Sequence, residues 1–150
     1  MSEVNQNTAQ KTRLGEILVR RKAITQQQLE QALNEQKQRS EYLGEALIRL
    51  GFVEERDIVA ALVVQCNLPY IAIANYSIDQ NVLNILPAQV ARKYHAIPFD
   101  KVGNVLSVVM ADPLNDDIKG ELARQSQCNI TALIATKSEI VNAINKWYTS

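Results

Sequence analysis

The residues that bind transition metals best are scarce in this chain of 150 residues, which has two cysteines and one histidine. Cys66 and Cys128 lie far apart and form no CxxC motif, whereas a structural zinc site needs four Cys or His ligands. The sequence therefore predicts no metal site. It favours two small, buried, reduced thiols.

An excess of charge of one sign and a long apolar run are also absent. The chain has 16 Lys and Arg against 16 Asp and Glu, whereas binding to a nucleic-acid backbone needs a surplus of cations. The longest apolar segment, Ile58–Cys66, is far shorter than the roughly 18 residues of a membrane helix. Met1–Gln10 is mostly polar, is rich in Asn and Gln, and has no apolar core, so it does not resemble a secretory signal. We therefore expect a soluble, cytoplasmic protein with no DNA or RNA partner and no direct membrane insertion.

Motifs of catalysis are missing as well. The sequence contains no GxxxxGK[ST], GxSxG or HExxH motif and no glycine-rich dinucleotide fingerprint. The lone imidazole, His95, comes just before a predicted strand, where a single histidine is far more often structural or at the surface than catalytic. The acidic pair Asp116-Asp117 lies at a predicted helix start, where the helix dipole favours negative charge. The chain is predicted not to be an enzyme.

What the chain does contain is an internal repeat. Arg13–Gln36 aligns with Tyr42–Gln65 without a gap, at a constant offset of 29 residues and with eight identical positions. A match of this length predicts two copies of one supersecondary unit. The identical pairs are Leu14/Leu43, Gly15/Gly44, Glu16/Glu45, Leu18/Leu47, Arg20/Arg49, Ala32/Ala61, Leu33/Leu62 and Gln36/Gln65.

Each copy is predicted to form two short helices. In the first copy, Thr25 can cap a second helix whose apolar stripe contains Leu29 and Leu33. Gly51 lies where a helix would end in the second copy, and Lys22 takes that place in the first. Lys22 must therefore either adopt a left-handed conformation or end its helix differently.

The paired glycines, Gly15 and Gly44, are unexpected because each lies at the start of a predicted helix. Glycine is a poor helix former, so its recurrence needs a reason. We expect close approach of a backbone or a ligand to these positions.

After Pro69 the pattern changes to alternating short strands and helices. Predicted strands are Tyr70–Ala74, Ala96–Asp100, Val105–Ala111 and Cys128–Ala135; predicted helices are Asp79–Leu86, Pro87–Tyr94, Asn115–Gln125 and Ser138–Tyr148. The sequence thus predicts an α+β fold. Its parts are a disordered leader (1–12), a helical tandem repeat (13–66) and a small α/β subdomain with a short sheet (67–150).

The doubled pattern Leu-Gly-x-x-Leu followed by Leu-x-x-x-Leu-x-x-Gln, with Ile58 as the first residue of its second half in copy two, resembles a known family. It is similar to the N-terminal domain of type II secretion and type IV pilus assembly ATPases, and more narrowly to the MshEN domain that binds cyclic-di-GMP. The likeness extends from about Lys11 to Tyr148. Later segments that share it are Asn67-Leu68-Pro69-Tyr70, Ile85-Leu86-Pro87, Ala91-Arg92-Lys93-Tyr94, Ile97-Pro98-Phe99 and Met110-Ala111-Asp112-Pro113-Leu114.

The resemblance implies one cyclic-di-GMP bound across the two motif copies, with a guanosine half in each. The first half-site would contain Arg13, Leu14, Gly15 and Gln36, lined by Leu18, Leu29 and Leu33. The second would contain Tyr42, Leu43, Gly44 and Gln65, lined by Leu47, Ile58 and Leu62. An arginine can stack on guanine or bond its O6 and N7. A glutamine offers both a donor and an acceptor.

One departure from the family pattern concerns Tyr42, which stands where the family has arginine and so brings a ring but no charge. The leucines of the motif could equally form core. The resemblance therefore leaves open an alternative, a ligand-free domain that docks a secretion or pilus ATPase to its membrane-platform partner. The chain could also be the front of a longer ATPase.

Overall fold

A computed structural model describes residues 14–39 and 41–148. The chain divides into two compact units, Met1–Asn67 (unit 1) and Leu68–Ser150 (unit 2). Where it is described, unit 1 is helical, and unit 2 contains a three-stranded sheet with helices. The predicted α+β class is confirmed. The predicted leader, 1–12, and Arg13 lie outside the described residues.

Unit 1 contains four described helices that follow the repeat. Residues 14–20 form helix α1, and the next three are α2 (Gln26–Arg39), α3 (Leu43–Arg49) and α4 (Glu55–Cys66). Each copy of the repeat is therefore a pair of helices, as predicted.

The corner between the two helices has the same geometry in both copies. Lys22 and Gly51 adopt left-handed conformations, with φ of 63° and 81°. In each copy the corner amide donates to the carbonyl three residues earlier, and the next amide donates to the carbonyl five residues earlier, which is a Schellman motif. The four N···O distances are Lys22–Val19 2.9 Å, Ala23–Leu18 2.9 Å, Gly51–Ile48 3.0 Å and Phe52–Leu47 3.0 Å. Lys22 therefore takes the left-handed alternative.

The second helix of each copy begins with a reciprocal cap. The hydroxyl of Thr25 accepts a hydrogen bond from the Gln28 amide at 3.1 Å, and the Thr25 amide donates to the Gln28 side chain at 2.9 Å. The predicted capping role of Thr25 is confirmed. At the equivalent place in copy two, the Glu54 amide donates to a carboxylate oxygen of Asp57 at 2.8 Å.

Unit 2 has four helices and three strands among its described residues. Helices α5 (Gln80–Leu83) and α6 (Ala88–Tyr94) precede the hairpin of β1 (Ala96–Val102) and β2 (Val105–Met110). Helix α7 (Asp116–Ser126) then leads to β3 (Asn129–Ile134), and α8 (Lys137–Trp147) follows. The sheet order is β1-β2-β3, with β1 antiparallel and β3 parallel to β2.

The predicted strand at Tyr70–Ala74 is wrong. Tyr70 forms only an isolated bridge with Ile134, and Ile73–Asn75 is a turn of 3-10 helix. Pro69 can accept from Ile134 but has no amide to donate, so pairing with β3 stays short. The chain then turns and buries Ile73 to 1% exposure.

All four predicted helices of unit 2 differ from the structure by one to three residues at one or both ends. Helix α5 stops at Leu83, three residues before the predicted end, and Pro87 caps α6 from outside its first turn. Boundaries of short helices are poorly fixed by sequence because only one or two turns carry the pattern.

The core of unit 2 lies between its sheet and α8. Ile97 of β1, Val109 of β2 and Ile140 of α8 are fully buried there. The Tyr148 hydroxyl donates to the carbonyls of Leu83 and Leu86 at 3.1 and 3.0 Å, which ties the end of α8 to α5.

No helix among the described residues has both the length and the apolar composition to cross a membrane. Within residues 14–39 and 41–148, no three His, Cys, Asp or Glu residues are grouped so as to hold a metal ion.

Candidate functional site

The sequence-predicted site residues lie on all four helices of unit 1, apart from Arg13, which is outside the described residues. Their helices are α1 for Leu14, Gly15 and Leu18; α2 for Leu29, Leu33 and Gln36; α3 for Leu43, Gly44 and Leu47; and α4 for Ile58, Leu62 and Gln65. Tyr42 is the residue that caps α3.

Most of the apolar members are core residues. Leu18 and Leu47 are fully buried, and the other members exposed to 2% or less are Leu29, Leu43 and Leu62. Leu14 and Ile58 are each 8% exposed. These side chains shape unit 1 from inside, and their packing stabilises it by burying apolar surface.

The structure gives a packing reason for the paired glycines. A Cβ on Gly15 would lie 2.5 Å from Leu29 Cδ1, and one on Gly44 would lie 3.3 Å from Ile58 Cδ1. Leu29 and Ile58 occupy equivalent positions in the repeat, so each copy packs the side chain from that position onto its own glycine. We expected close approach of a backbone or a ligand at these positions, whereas the structure shows close approach by a side chain of the second helix in each copy.

The second glycine also contacts the first copy. Leu14 Cδ2 would be 3.8 Å from a Cβ on Gly44, in addition to the Ile58 contact. Residues from both motif copies therefore meet around the start of α3.

The members that remain accessible are mainly polar. Leu33, Gln36, Tyr42 and Gly44 are half-buried, and Gln65 is exposed. The Tyr42 amide donates to Glu45 Oε1 at 3.1 Å, which fixes the first turn of α3. A ligand at the tandem motif would meet these residues rather than the buried leucines.

An ion-pair cluster that the sequence reasoning missed lies between the two copies. Arg49 on α3 donates to both oxygens of Glu41, from Nη2 at 2.7 Å and from Nε at 3.4 Å. Its Nη2 also lies 3.0 Å from Glu35 Oε1 on α2. We call Glu35, Glu41 and Arg49 the junction cluster. Glu41 and then Glu35 raise the pKa of Arg49 above its ordinary value through these hydrogen bonds.

The junction cluster carries little sequence signal. Its partners are 8 and 14 residues from Arg49, and neither spacing is a helical repeat. The one available clue was that Arg49 is identical to Arg20 in the alignment. An identical charged residue in both copies indicates that the position has a function, but it does not indicate which residue the side chain contacts.

The MshEN domain model matches residues 66–150, which is more than half of the chain, and the chain belongs to this family. The matched residues include all of unit 2.

One curated relative is the type IV pilus assembly ATPase PilB of Myxococcus xanthus. It is 32% identical over 136 residues, which are 91% of this chain but 24% of the relative. The chain thus spans about a quarter of that protein's length.

Two solved structures are similar over nearly the whole chain. The structure of MshE with cdg has a TM-score of 0.73 and 32% identity, and the match covers 90% of this chain and 98% of that one. The N-terminal domain of XpsE has a TM-score of 0.79 at 21% identity, with 98% and 99% covered, and supports the fold alone.

Proposed function

We propose that this chain is a regulatory module that binds one cyclic-di-GMP across the duplicated motif. It would pass the signal to a protein partner in a secretion or pilus machinery in the cytoplasm. The observation that carries this proposal is the likeness to MshE with cdg, the cyclic dinucleotide. A match over 90% of the chain has to include most of the tandem motif, because unit 2 is little more than half of the chain.

The accessible polar residues have the chemistry that a guanine needs. Gln36 and Gln65 occupy the same position in the two copies, and a glutamine amide can both donate to and accept from a base edge. Arg13 adds a guanidinium that can stack on guanine or bond its O6 and N7. With two equivalent half-sites, the motif suits a ligand that is itself twofold.

Tyr42 makes the second half-site different from the first. It is half-buried at the beginning of α3, and the hydrogen bond from its amide to Glu45 fixes its backbone there. A tyrosine ring can stack on guanine but supplies no positive charge for a phosphate. We therefore propose a site in which the first half contributes the charge and the second contributes stacking.

We further propose that the chain has no catalytic activity of its own. The sequence contains no phosphate-binding GxxxxGK[ST] loop. An ATPase activity such as that in the name of the Myxococcus relative would then belong to segments beyond the aligned quarter of that protein.

A specific observation favours a second candidate, a ligand-free docking domain. The buried leucines form core, and Leu29 and Ile58 explain the paired glycines by packing. These recurrent residues would be retained in a domain that binds no nucleotide. What packing leaves unexplained is the recurrence of Gln36 and Gln65 at accessible positions.

Calorimetric titration with cyclic-di-GMP separates the two candidates. We expect the parent to bind at a stoichiometry of one, and Arg13→Ala, Gln36→Ala and Gln65→Ala each to weaken binding about tenfold or more, the loss of a hydrogen bond to a polar ligand group. Gln38→Ala is the matched control, because Gln38 is exposed on α2 but outside the repeat identities. No binding by the parent at high micromolar ligand would leave the docking candidate.

Tyr42→Arg probes the second half-site in the same titration. If the missing charge weakens that half-site, the added guanidinium tightens binding. An unchanged Kd would show that Tyr42 already contacts guanine well or lies outside the site.

A further inference from the structure

The junction cluster connects the end of one motif copy to the beginning of the other. Glu35 immediately precedes Gln36, the last residue of copy one, and Glu41 immediately precedes Tyr42, the first residue of copy two. A single guanidinium, that of Arg49, binds both carboxylates at 3.0 and 2.7 Å. Arg49 therefore links the side chains of two residues that each precede a proposed ligand contact.

We infer that Arg49 is a positioning residue for the proposed cyclic-di-GMP site: by bridging Glu35 and Glu41 it sets the spacing between Gln36 of the first half-site and Tyr42 of the second. The inference rests on the proposed function. It goes beyond it by naming a residue, outside the predicted ligand contacts, that holds the two half-sites in register.

The geometry makes this ion pair stronger than an ordinary surface pair. Arg49 donates to the Glu41 carboxylate through two nitrogens. A bidentate pair of this kind fixes the relative orientation of the two side chains as well as their separation. The Glu41 side chain is only 17% exposed, and those of Arg49 and Glu35 are 33% and 34% exposed. Partial burial reduces screening by solvent and salt. The alternative, an exposed monodentate pair, contributes little.

The repeat supplies a matched control within the chain. Arg20 is the equivalent of Arg49 in copy one and is identical to it. Subtracting the offset of 29 from Glu41 and Glu35 gives Thr12 and Gln6, neither of which has a carboxylate. At the sequence positions related by the repeat offset, Arg20 therefore has no carboxylate that corresponds to Glu35 or Glu41.

The test compares Arg49→Gln with Arg20→Gln in the whole chain. We expect Arg49→Gln to raise the Kd for cyclic-di-GMP about tenfold and Arg20→Gln to leave it within about twofold of the parent, where tenfold corresponds to about 1.4 kcal/mol. Arg49→Lys keeps the positive charge but lacks the planar guanidinium that can donate to two carboxylates, so its Kd should lie between those of the parent and Arg49→Gln.

A second measurement separates positioning from general stability. In the ligand-free protein, hydrogen exchange in a peptide that spans residues 35–45 should be faster in Arg49→Gln than in the parent or in Arg20→Gln. The midpoint of thermal unfolding should change little, because Glu35, Glu41 and Arg49 lie outside the buried apolar core of unit 1. Loss of affinity that is matched by a general loss of protection over unit 1 would overturn the positioning role.

The outcomes distinguish this inference from the proposed function. If the parent binds cyclic-di-GMP and Arg49→Gln binds as tightly, the inference is wrong and the proposed function stands. If the parent does not bind, both are wrong for this ligand, and exchange over residues 35–45 still reports whether Arg49 orders the junction.

Discussion

At the scale of single residues, identical positions in the two copies have different physical reasons. Gly15 and Gly44 recur because the equivalent side chains Leu29 and Ile58 pack directly on them. Arg20 and Arg49 are also identical, yet only Arg49 has carboxylates available at the required positions. Identity in a repeat therefore predicts a shared fold more securely than a shared contact.

The two glycines should respond differently to alanine. A methyl group on Gly15 would collide with Leu29 Cδ1 at 2.5 Å and make tight contacts with two more Leu29 atoms at 3.0 and 3.3 Å, whereas on Gly44 the nearest atom is Ile58 Cδ1 at 3.3 Å. Overpacking destabilises a protein by about 1–3 kcal/mol. Replacing glycine by alanine in a helix stabilises it by up to about 1 kcal/mol, which offsets part of that loss. We expect Gly15→Ala to lower the free energy of unfolding by about 1 kcal/mol and Gly44→Ala to change it by less than about 0.5 kcal/mol.

Urea unfolding of the two variants measures this difference directly. Gly44→Ala serves as the control, since it occupies the same motif position with a looser contact. Equal destabilisation of both proteins would contradict the packing reason for the recurrence and would favour a requirement for bare backbone at both positions.

The sequence predicted where the helices, cap and corner of unit 1 lie better than it predicted the contacts that explain its recurrent residues. The repeat located both helix pairs, the Thr25 cap and the corner at Gly51, because each rests on local chemistry. It allowed two conformations at Lys22, and the structure selects the left-handed one. It missed the junction cluster, since contacts across a turn depend on how helices pack and have no fixed spacing. For the predicted ligand contacts other than Arg13, the structure shows on which helix each residue lies, or that it caps one, and how far it is buried.

At the scale of elements, unit 2 shows why short apolar runs mislead. Tyr70–Ala74 has the composition of a strand but pairs at only one point with β3. Its tyrosine is instead held by a side chain of α8, because the Tyr70 hydroxyl donates to Glu139 Oε2 at 2.6 Å. The other oxygen of Glu139 accepts from the Thr136 amide at 2.9 Å in the cap of α8. One residue thus serves both a helix start and the segment beside it.

The end of α8 provides a prediction about pH. The Tyr148 hydroxyl donates to two carbonyls, and burial raises the pKa of this phenol above its ordinary value. The neutral form is therefore favoured in the folded state. Its contribution to stability is complete below about pH 10, the unfolded pKa of tyrosine, and is lost as the pH rises through the higher folded pKa.

Tyr148→Phe should consequently reduce the free energy of unfolding by about 1–2 kcal/mol at neutral pH, because two carbonyls lose their donor. The difference from the parent should shrink as the pH rises above about 10. Hydrogen bonding to Glu139 also raises the pKa of Tyr70, so the parent-minus-variant difference is the quantity that isolates Tyr148. A difference that stays constant through this range would contradict the assigned cause.

At the scale of the whole molecule, the family match and the candidate site fall in different units. The MshEN model matches residues 66–150, which contain unit 2, whereas the tandem motif lies in unit 1. The family assignment therefore rests on one unit and the proposed ligand on the other. The sequence predicted subdomains at 13–66 and 67–150. We propose that each of these subdomains folds and functions independently of the other.

The division between the units has a clear local basis. Helix α4 ends at a left-handed Asn67, with φ of 54°, and the next unit begins at Leu68. The backbone bonds that attach this segment to β3, Ile134 to Pro69 and Ile71 to Ile134, lie entirely within unit 2. A chain that starts at Leu68 would keep these bonds and the core formed by the sheet and α8.

We therefore expect the fragment 68–150 to fold cooperatively and to bind no cyclic-di-GMP. Its own buried cluster of apolar side chains supplies the driving force for folding, and it lacks every residue of the proposed site. Circular dichroism with thermal unfolding tests the first expectation, and calorimetry against the full chain tests the second. Tyr148→Phe in the fragment is the internal control, because it should lower the midpoint of a genuinely folded fragment. A fragment that binds cyclic-di-GMP as tightly as the full chain would move the site out of the tandem motif, and an unfolded fragment would show that unit 2 depends on the rest of the chain.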